Sequence, residues 1–264
     1  MPQPPIRFDD GAAYERGMGI WSRIAGEVFL DWIAPSPGLR WIDIGCGSGA
    51  FTELLMQRCS PSDMQGVDPS DAQLAFARTR PAARGATFQQ GDAMALPFQD
   101  NRFDAAIMAL VIFFVPEPAR GVAEMARVVA PGGTVAAYAW DVLGGGFPFH
   151  PIQTELRALG VMPSLPPSPD ASRLETMHSL WTGAGLQDVE TREITVQRYY
   201  ADYDDFWGSS TITGSINPAI AGMSPGDVAQ LKVRVRAHVQ EAADGRIFYD
   251  SRANAVRGRV PKST

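Results

Sequence analysis

The stretch Trp41-Ile42-Asp43-Ile44-Gly45-Cys46-Gly47-Ser48-Gly49 constrains what this chain can fold into more than any other. Its apolar half reads as a strand buried on both faces of a parallel sheet. A carboxylate lies within it, and three glycines at alternating positions follow. Glycines so placed make a tight turn whose backbone approaches a ligand closely, since a side chain there would stand in the way. Ala50 to Arg58 has a helical pattern, so a ligand at the turn sits over a helix N-terminus. Gly45, Gly47 and Ala50 also satisfy the dinucleotide pattern G-x-G-x-x-G/A. The turn alone therefore admits several nucleotide-like ligands, or a purely structural role.

Strand-like and helix-like patterns alternate from residue 20 to residue 140. Trp21, Ile24, Ala25, Val28, Phe29 and Trp32 recur at helical spacing, and Pro35 ends that helix. Strands are predicted over 39–44, 64–67, 86–89, 103–108 and 134–140, with helices over 71–79 and 118–129, the latter closed by Pro131-Gly132-Gly133. This order predicts an α/β fold with a parallel sheet and helices on both faces. Beyond Trp140 the pattern breaks. Gly144-Gly145-Gly146 reads as a flexible connector, and the proline-rich stretch 164–169 excludes regular structure. A short helix is expected over 151–159, a helix over 174–184 and a strand over 189–199. Residues 202–223 give no clear pattern. Ser224 caps a helix with Pro225 at its first position, expected to reach residue 243, before a final strand over 246–256. The chain divides into an N-terminal helical cap (1–36), a core (37–140) and late core strands with helical insertions (141–264).

A length of 264 residues suits one core domain with a sizeable insertion. The formal charge of −6, without a basic block, excludes nonspecific affinity for nucleic acid or anionic membrane. The longest apolar run, 105–115, is too short to span a bilayer. Residues 1–10 lack the apolar centre of a signal peptide. The two cysteines, Cys46 and Cys59, have no partner cluster, so neither a metal site nor a disulfide framework is expected. A cytoplasmic location with reduced thiols follows as the expectation.

Two further acidic residues follow predicted strands. Asp68, in Gly66-Val67-Asp68-Pro69-Ser70, lies 19 residues after Gly49, where a carboxylate can accept both hydroxyls of a ribose or simply cap a loop. Asp92, in Gly91-Asp92-Ala93, can accept an exocyclic amine of adenine with the Ala93 N–H toward a ring nitrogen, or again cap a loop. Asp43, Asp68 and Asp92 together would repel a pyrophosphate. They suit a ligand with an amine, a ribose and an adenine.

The ordered motifs Ile42 to Gly49, Gly66 to Ser70, Gln90 to Phe98, Arg102 to Asp104 and Arg127 to Gly133 resemble the class I S-adenosylmethionine-dependent methyltransferases. The similarity is greatest to the small-molecule branch of the ubiquinone/menaquinone biosynthesis type, and it is specific over residues 39–140. The resemblance implies a Rossmann-like sheet of seven strands, mostly parallel with the last antiparallel, and S-adenosylmethionine as cofactor. It implies that Gly45 and Gly47 line the methionine moiety with Asp43 near its ammonium. Asp68 with Pro69 would hold the ribose, and Asp92 and Ala93 the adenine. Ala109 would offer backbone near the methionine amine, and Tyr14 would close over the cofactor. Relatives often carry histidines in the loop after the fourth strand; this chain has Phe113-Phe114 there, so chemistry resting on those histidines is absent.

The implied activity is methyl transfer by in-line displacement to a small, partly apolar acceptor. A base is needed only where the nucleophile must lose a proton. His150 and Asp141 are candidates for that role; His178 and His238 read as packing or solvated residues. Tyr199, Tyr200, Tyr203, Phe206 and Trp207 form an aromatic cluster, read as core packing or as the wall of an apolar pocket. Insertions 141–170 and 202–243, with the helix near Tyr14, are expected to form a lid over the reacting methyl. A nicotinamide-dependent oxidoreductase remains an alternative that the glycine turn allows, though Asp43 and Asp92 oppose it. A fold relative that binds the cofactor without transferring methyl is the other.

Overall fold

In the computed structural model, which describes residues 15–212 and 216–262, an open sheet carries helices on both faces. Tyr14 lies outside the described residues. A π-helical turn, Glu15–Gly19, leads into α1 (Ile20–Ile33). The core then runs β1 (Arg40–Ile44), α2 (Ala50–Cys59), β2 (Asp63–Asp68), α3 (Asp71–Ala77), β3 (Thr87–Gln90), β4 (Phe103–Ala109), α4 (Pro118–Val128) and β5 (Val129–Trp140). The later elements are α5 (His150–Ala158), α6 (Leu174–Gly183), β6 (Gln187–Tyr200), α7 (Tyr203–Thr211), α8 (Ile216–Ala221), α9 (Pro225–Arg236), β7 (Gln240–Glu241) and β8 (Ile247–Arg259).

The sheet order is β3-β2-β1-β4-β5-β8-β6, with β7 paired to β8. β1 to β5 are mutually parallel, and β8 runs antiparallel between β5 and β6. The seven-strand path with an antiparallel member matches expectation. Chain order reverses between β1 and β4, which opens a crevice beyond their carboxyl ends. β1 is central, and Trp41, Ile42 and Ile44 are buried on its two faces. α4 buries Gly121, Val122, Met125 and Val128, the spacing of one helical stripe. Ser224 accepts from the Asp227 N–H and caps α9, as its sequence predicts. No helix among the described residues is long and apolar enough to cross a membrane.

The late elements differ from expectation in three ways. β5 begins at Val129, not Thr134: Phe103 pairs with Val129, then the register shifts before Ala105 pairs with Thr134. Gly132, at φ +81°, absorbs the irregularity and lets Pro131 sit inside the strand. α9 ends at Arg236 rather than near residue 243. The chain there turns at Gly245 into a small hairpin of β7 on β8, too short to leave a periodic signal. Gly144 to Gly146 form a packed turn, not a loose connector. A Cβ on Gly144 would stand 2.1 Å from Asp141 Oδ2, and one on Gly146 would stand 2.4 Å from the Arg252 carbonyl oxygen.

α1 and the turn before it are bound to the far half of the sheet through their own carbonyls. Arg198 donates to Gly17 O, Tyr138 to Ser22 O and Arg257 to Trp32 O. The Trp21 indole N–H donates to the Tyr200 hydroxyl at 3.0 Å. The predicted aromatic cluster is core: Tyr200 meets Phe206 edge-on, and Tyr203 stacks on Phe206 at 5.9 Å. Tyr199 alone of these stands exposed, against Phe248.

Candidate functional site

The turn after β1 is fixed from three sides. The Gly45 and Cys46 N–H groups both donate to Val67 O, at 2.7 and 3.0 Å, which binds the turn to β2. Gly45 has φ +72°, and a Cβ there would stand 2.5 Å from Val111 Cγ1, so the loop after β4 packs directly on it. Arg80 reaches in from beyond α3, donating to Ser48 O at 2.5 Å and to Glu53 at 2.6 Å. Gly47, at φ +51°, faces open space: a Cβ there would meet nothing within 4 Å.

Beyond this turn lies a cavity of about 510 Å³, within the range of small-molecule sites. Asp43, Gly45, Gly47, Asp68, Pro69, Asp92, Ala93 and Ala109 all line it, so eight residues proposed from separate motifs face one space. Three adjacent strand ends and the loop after β3 supply them. Arg127 shapes the neighbourhood of Asp92 from α4, donating to Leu96 O at 3.0 Å and to Phe98 O at 2.8 Å. Glu124 accepts from the Leu96 N–H at 2.7 Å. Asp92 itself is exposed, and its Oδ1 accepts from the Met94 N–H.

The other two carboxylates are buried. Asp43 is fully enclosed; its Oδ2 accepts the Thr52 hydroxyl at 2.6 Å, and its Oδ1 has no hydrogen-bond partner. Burial pushes its carboxyl up to about 7, against the Thr52 hydroxyl bond, with the nearby Asp68 charge adding to the rise. Asp68 accepts from the Gly47 N–H and the Ser70 N–H, each at 2.9 Å. Burial raises its carboxyl as well, and those two backbone bonds oppose the rise. Cys46 is buried between these acids. Desolvation first, then Asp43 and Asp68, push its thiol far up, which keeps it protonated and unreactive.

An S-adenosylmethionine molecule fits this donor set. A buried carboxylate oxygen without a partner calls for a cation or an N–H donor. Each Asp68 oxygen keeps acceptor capacity for a ribose hydroxyl. The chain's residues that would hold the group are Asp43 and Ala109 for its amine, Asp68 for its ribose, and Asp92 with Ala93 for its base.

The structure does not bring the candidate bases into the cavity wall. Asp141 is ion-paired with Arg252, and its Oδ1 accepts from the Gly144 N–H at 2.9 Å. His150 begins α5, and its Nε2 lies 3.3 Å from Thr154 Oγ1. Burial first, then the charges of Arg157 and His238, hold His150 below its ordinary value. His238 is not simply solvated: its Nε2 lies 2.7 Å from Glu155, which also accepts from Arg234 at 2.6 Å. These contacts fasten α5 to α9. No described residue of either insertion, 141–170 or 202–243, lines the cavity.

Sequence reasoning missed Ser22, Phe51, Gln73, Val111, Phe114 and Tyr138, all of which line the cavity. Tyr138 pairs in register with Ala109, a neighbour relation that no spacing rule announces. Phe51 and Thr52 were closer to hand, because they occupy the first turn of the helix after the glycines.

A sheet of this order, with a glycine turn after β1, Asp43 inside β1, Asp68 closing β2 and Asp92 after β3, resembles the class I S-adenosylmethionine-dependent methyltransferase architecture. Residues 42–137 match the family described as a methyltransferase domain. It is 32% identical over 161 residues to 2-methyl-6-phytyl-1,4-hydroquinone methyltransferase 2 of Oryza sativa, covering 61% of this chain and 42% of that protein. It is 34% identical over 115 residues to the ubiquinone/menaquinone biosynthesis C-methyltransferase UbiE of a Ruegeria species, covering 42% of this chain and 46% of that protein. In both cases the match spans less than half of the relative. The YcgJ protein of Bacillus subtilis shares the fold at a TM-score of 0.60, with 18% identity over 90% of this chain and 99% of that one.

Proposed function

We propose that the protein transfers a methyl group from S-adenosylmethionine to a small hydroquinone-like or phenolic acceptor. The observation that carries the donor is the buried, unpartnered Oδ1 of Asp43 in the wall of a cavity that also presents Asp68 and Asp92. The acceptor class is supported by the apolar part of the same wall, where Phe51, Val111, Phe114, Pro116 and Tyr138 suit a ring, and by the hydroquinone in the name of one curated relative and the ubiquinone/menaquinone biosynthesis in that of another.

When bound, S-adenosylmethionine supplies an electrophilic methyl on its sulfonium. The work left to the chain is to hold, align and dry the reactants. Asp43 accepts the ammonium and fixes one end of the donor. Asp68 fixes the ribose, its own orientation set by the Gly47 and Ser70 N–H bonds. The aromatic wall excludes water from the path of the incoming nucleophile. His150 and Asp141 have no part in this scheme, since both are engaged away from the cavity.

The test is release of S-adenosylhomocysteine across a panel of hydroquinones, phenols, amines and carboxylic acids. Turnover is expected with the first two. Turnover confined to amines or acids would overturn the acceptor assignment, and failure to bind S-adenosylmethionine by calorimetry would overturn the donor.

A further inference from the structure

Thr52 has no task in the scheme above, yet it is fully buried in the first turn of α2, against the carboxylate on which the donor site rests. Its hydroxyl donates to Asp43 Oδ2 at 2.6 Å, while Oδ1 has no partner. One bond thus distinguishes the two oxygens of a single carboxylate: Oδ2 is held by α2, and Oδ1 is left for a ligand. Apart from the Thr52 backbone, the groups around Asp43 give it no other support. Asp68 at the end of β2 is acidic, and Cys46 in the turn keeps its proton. In register, β2 places Gly66 beside Asp43 and β4 places Ile107. No Lys, Arg or His side chain is among the described residues lining the cavity. Apart from backbone, the Thr52 hydroxyl is the donor that favours the ionised form of Asp43.

We propose that Thr52 is a positioning residue for the cofactor: its hydroxyl turns Asp43 Oδ1 toward the ligand ammonium and makes cofactor capture release a proton. In the ligand-free protein Asp43 is a carboxylic acid for part of the neutral range. When the ammonium docks, the O–H bond of that acid breaks, the proton leaves to solvent, and the carboxylate pairs with the cation. The inference rests on the S-adenosylmethionine reading of the cavity.

Calorimetry of S-adenosylhomocysteine binding, from pH 6 to pH 8.5 in two buffers of different ionisation enthalpy, tests it. In the wild-type protein, affinity should rise with pH. Proton release should approach one per site at the acidic end and fade at the alkaline end. Thr52→Val should bind about tenfold more weakly at pH 7, as loss of one bond to a charged group entails. Its affinity curve should also move to higher pH by about one unit. Thr52→Ser should restore both. Equal weakening at every pH would reduce Thr52 to packing and overturn the proposal, as would an unchanged affinity curve in Thr52→Val. Absence of proton release at pH 6 in the wild-type protein would overturn it without recourse to any variant. A wild-type protein that fails to bind the ligand would overturn the donor reading and this inference together.

Discussion

At the scale of single residues, Asp43 sets binding against stability. A carboxyl held at about 7 in the folded protein, against 3.8 in the open chain, binds its proton more tightly when folded. The native state then carries the extra proton between pH 4 and pH 7, so stability falls as pH rises through that window. The loss amounts to at most about 4 kcal/mol. Asp43→Asn removes it, keeps an acceptor for Thr52 and places an N–H donor where Oδ1 stood. In the ligand-free state the variant should exceed the wild-type protein in denaturant stability at pH 8, with the difference shrinking toward pH 4. Its affinity for S-adenosylhomocysteine should fall by about a hundredfold, the loss of a buried charge pair. Denaturation at two pH values and one titration measure both effects.

At the scale of elements, the turn between β1 and α2 depends on the loop that follows β4. Gly45 answers two separate demands, a φ of +72° and close contact with Val111. Gly45→Ala should destabilise by roughly 2–4 kcal/mol, about 1 kcal/mol from the left-handed backbone and the rest from the clash. Gly45→Ala with Val111→Ala should recover the steric part and leave the backbone part, which a comparison of melting temperatures resolves. The same logic explains why Gly144 and Gly146 mislead a reader of sequence. Glycine permits mobility and close packing alike, and here Asp141 and Arg252 fill the space a side chain would need.

At the scale of the whole molecule, the cavity draws its wall from β1, β2, β4 and β5, the turn after β1, the loops after β2, β3 and β4, and α1, α2 and α3. A ligand there binds the assembled sheet and nothing in the open chain. S-adenosylhomocysteine at a hundred times its Kd should add about 2.7 kcal/mol. For a chain of this size that raises Tm by about 5–10 °C. NADH and NADPH should produce no shift, because three acids in the wall disfavour a pyrophosphate. A shift with the dinucleotides alone would return the oxidoreductase alternative.

By itself the sequence determined the alternation of β1 through β5, the turn at Gly45 to Gly49 and the acids at the ends of the first three strands. Each is a local matter of periodicity, backbone conformation or strand-end position, legible over ten residues or fewer. Tertiary structure decided the rest. The insertions were expected over the cavity; Glu155 with Arg234 and His238 ties them to each other, and Asp141 with Arg252 ties the first to β8. Those partners are 79, 83 and 111 positions apart, and an ion pair between distant positions has no period to read. Tyr138 and Ser22 entered the wall because β5 pairs with β4 and α1 lies across the sheet. Which oxygen of Asp43 is held by the protein and which is left for a ligand was likewise decided only when α2 closed against β1 and brought the Thr52 hydroxyl to Oδ2.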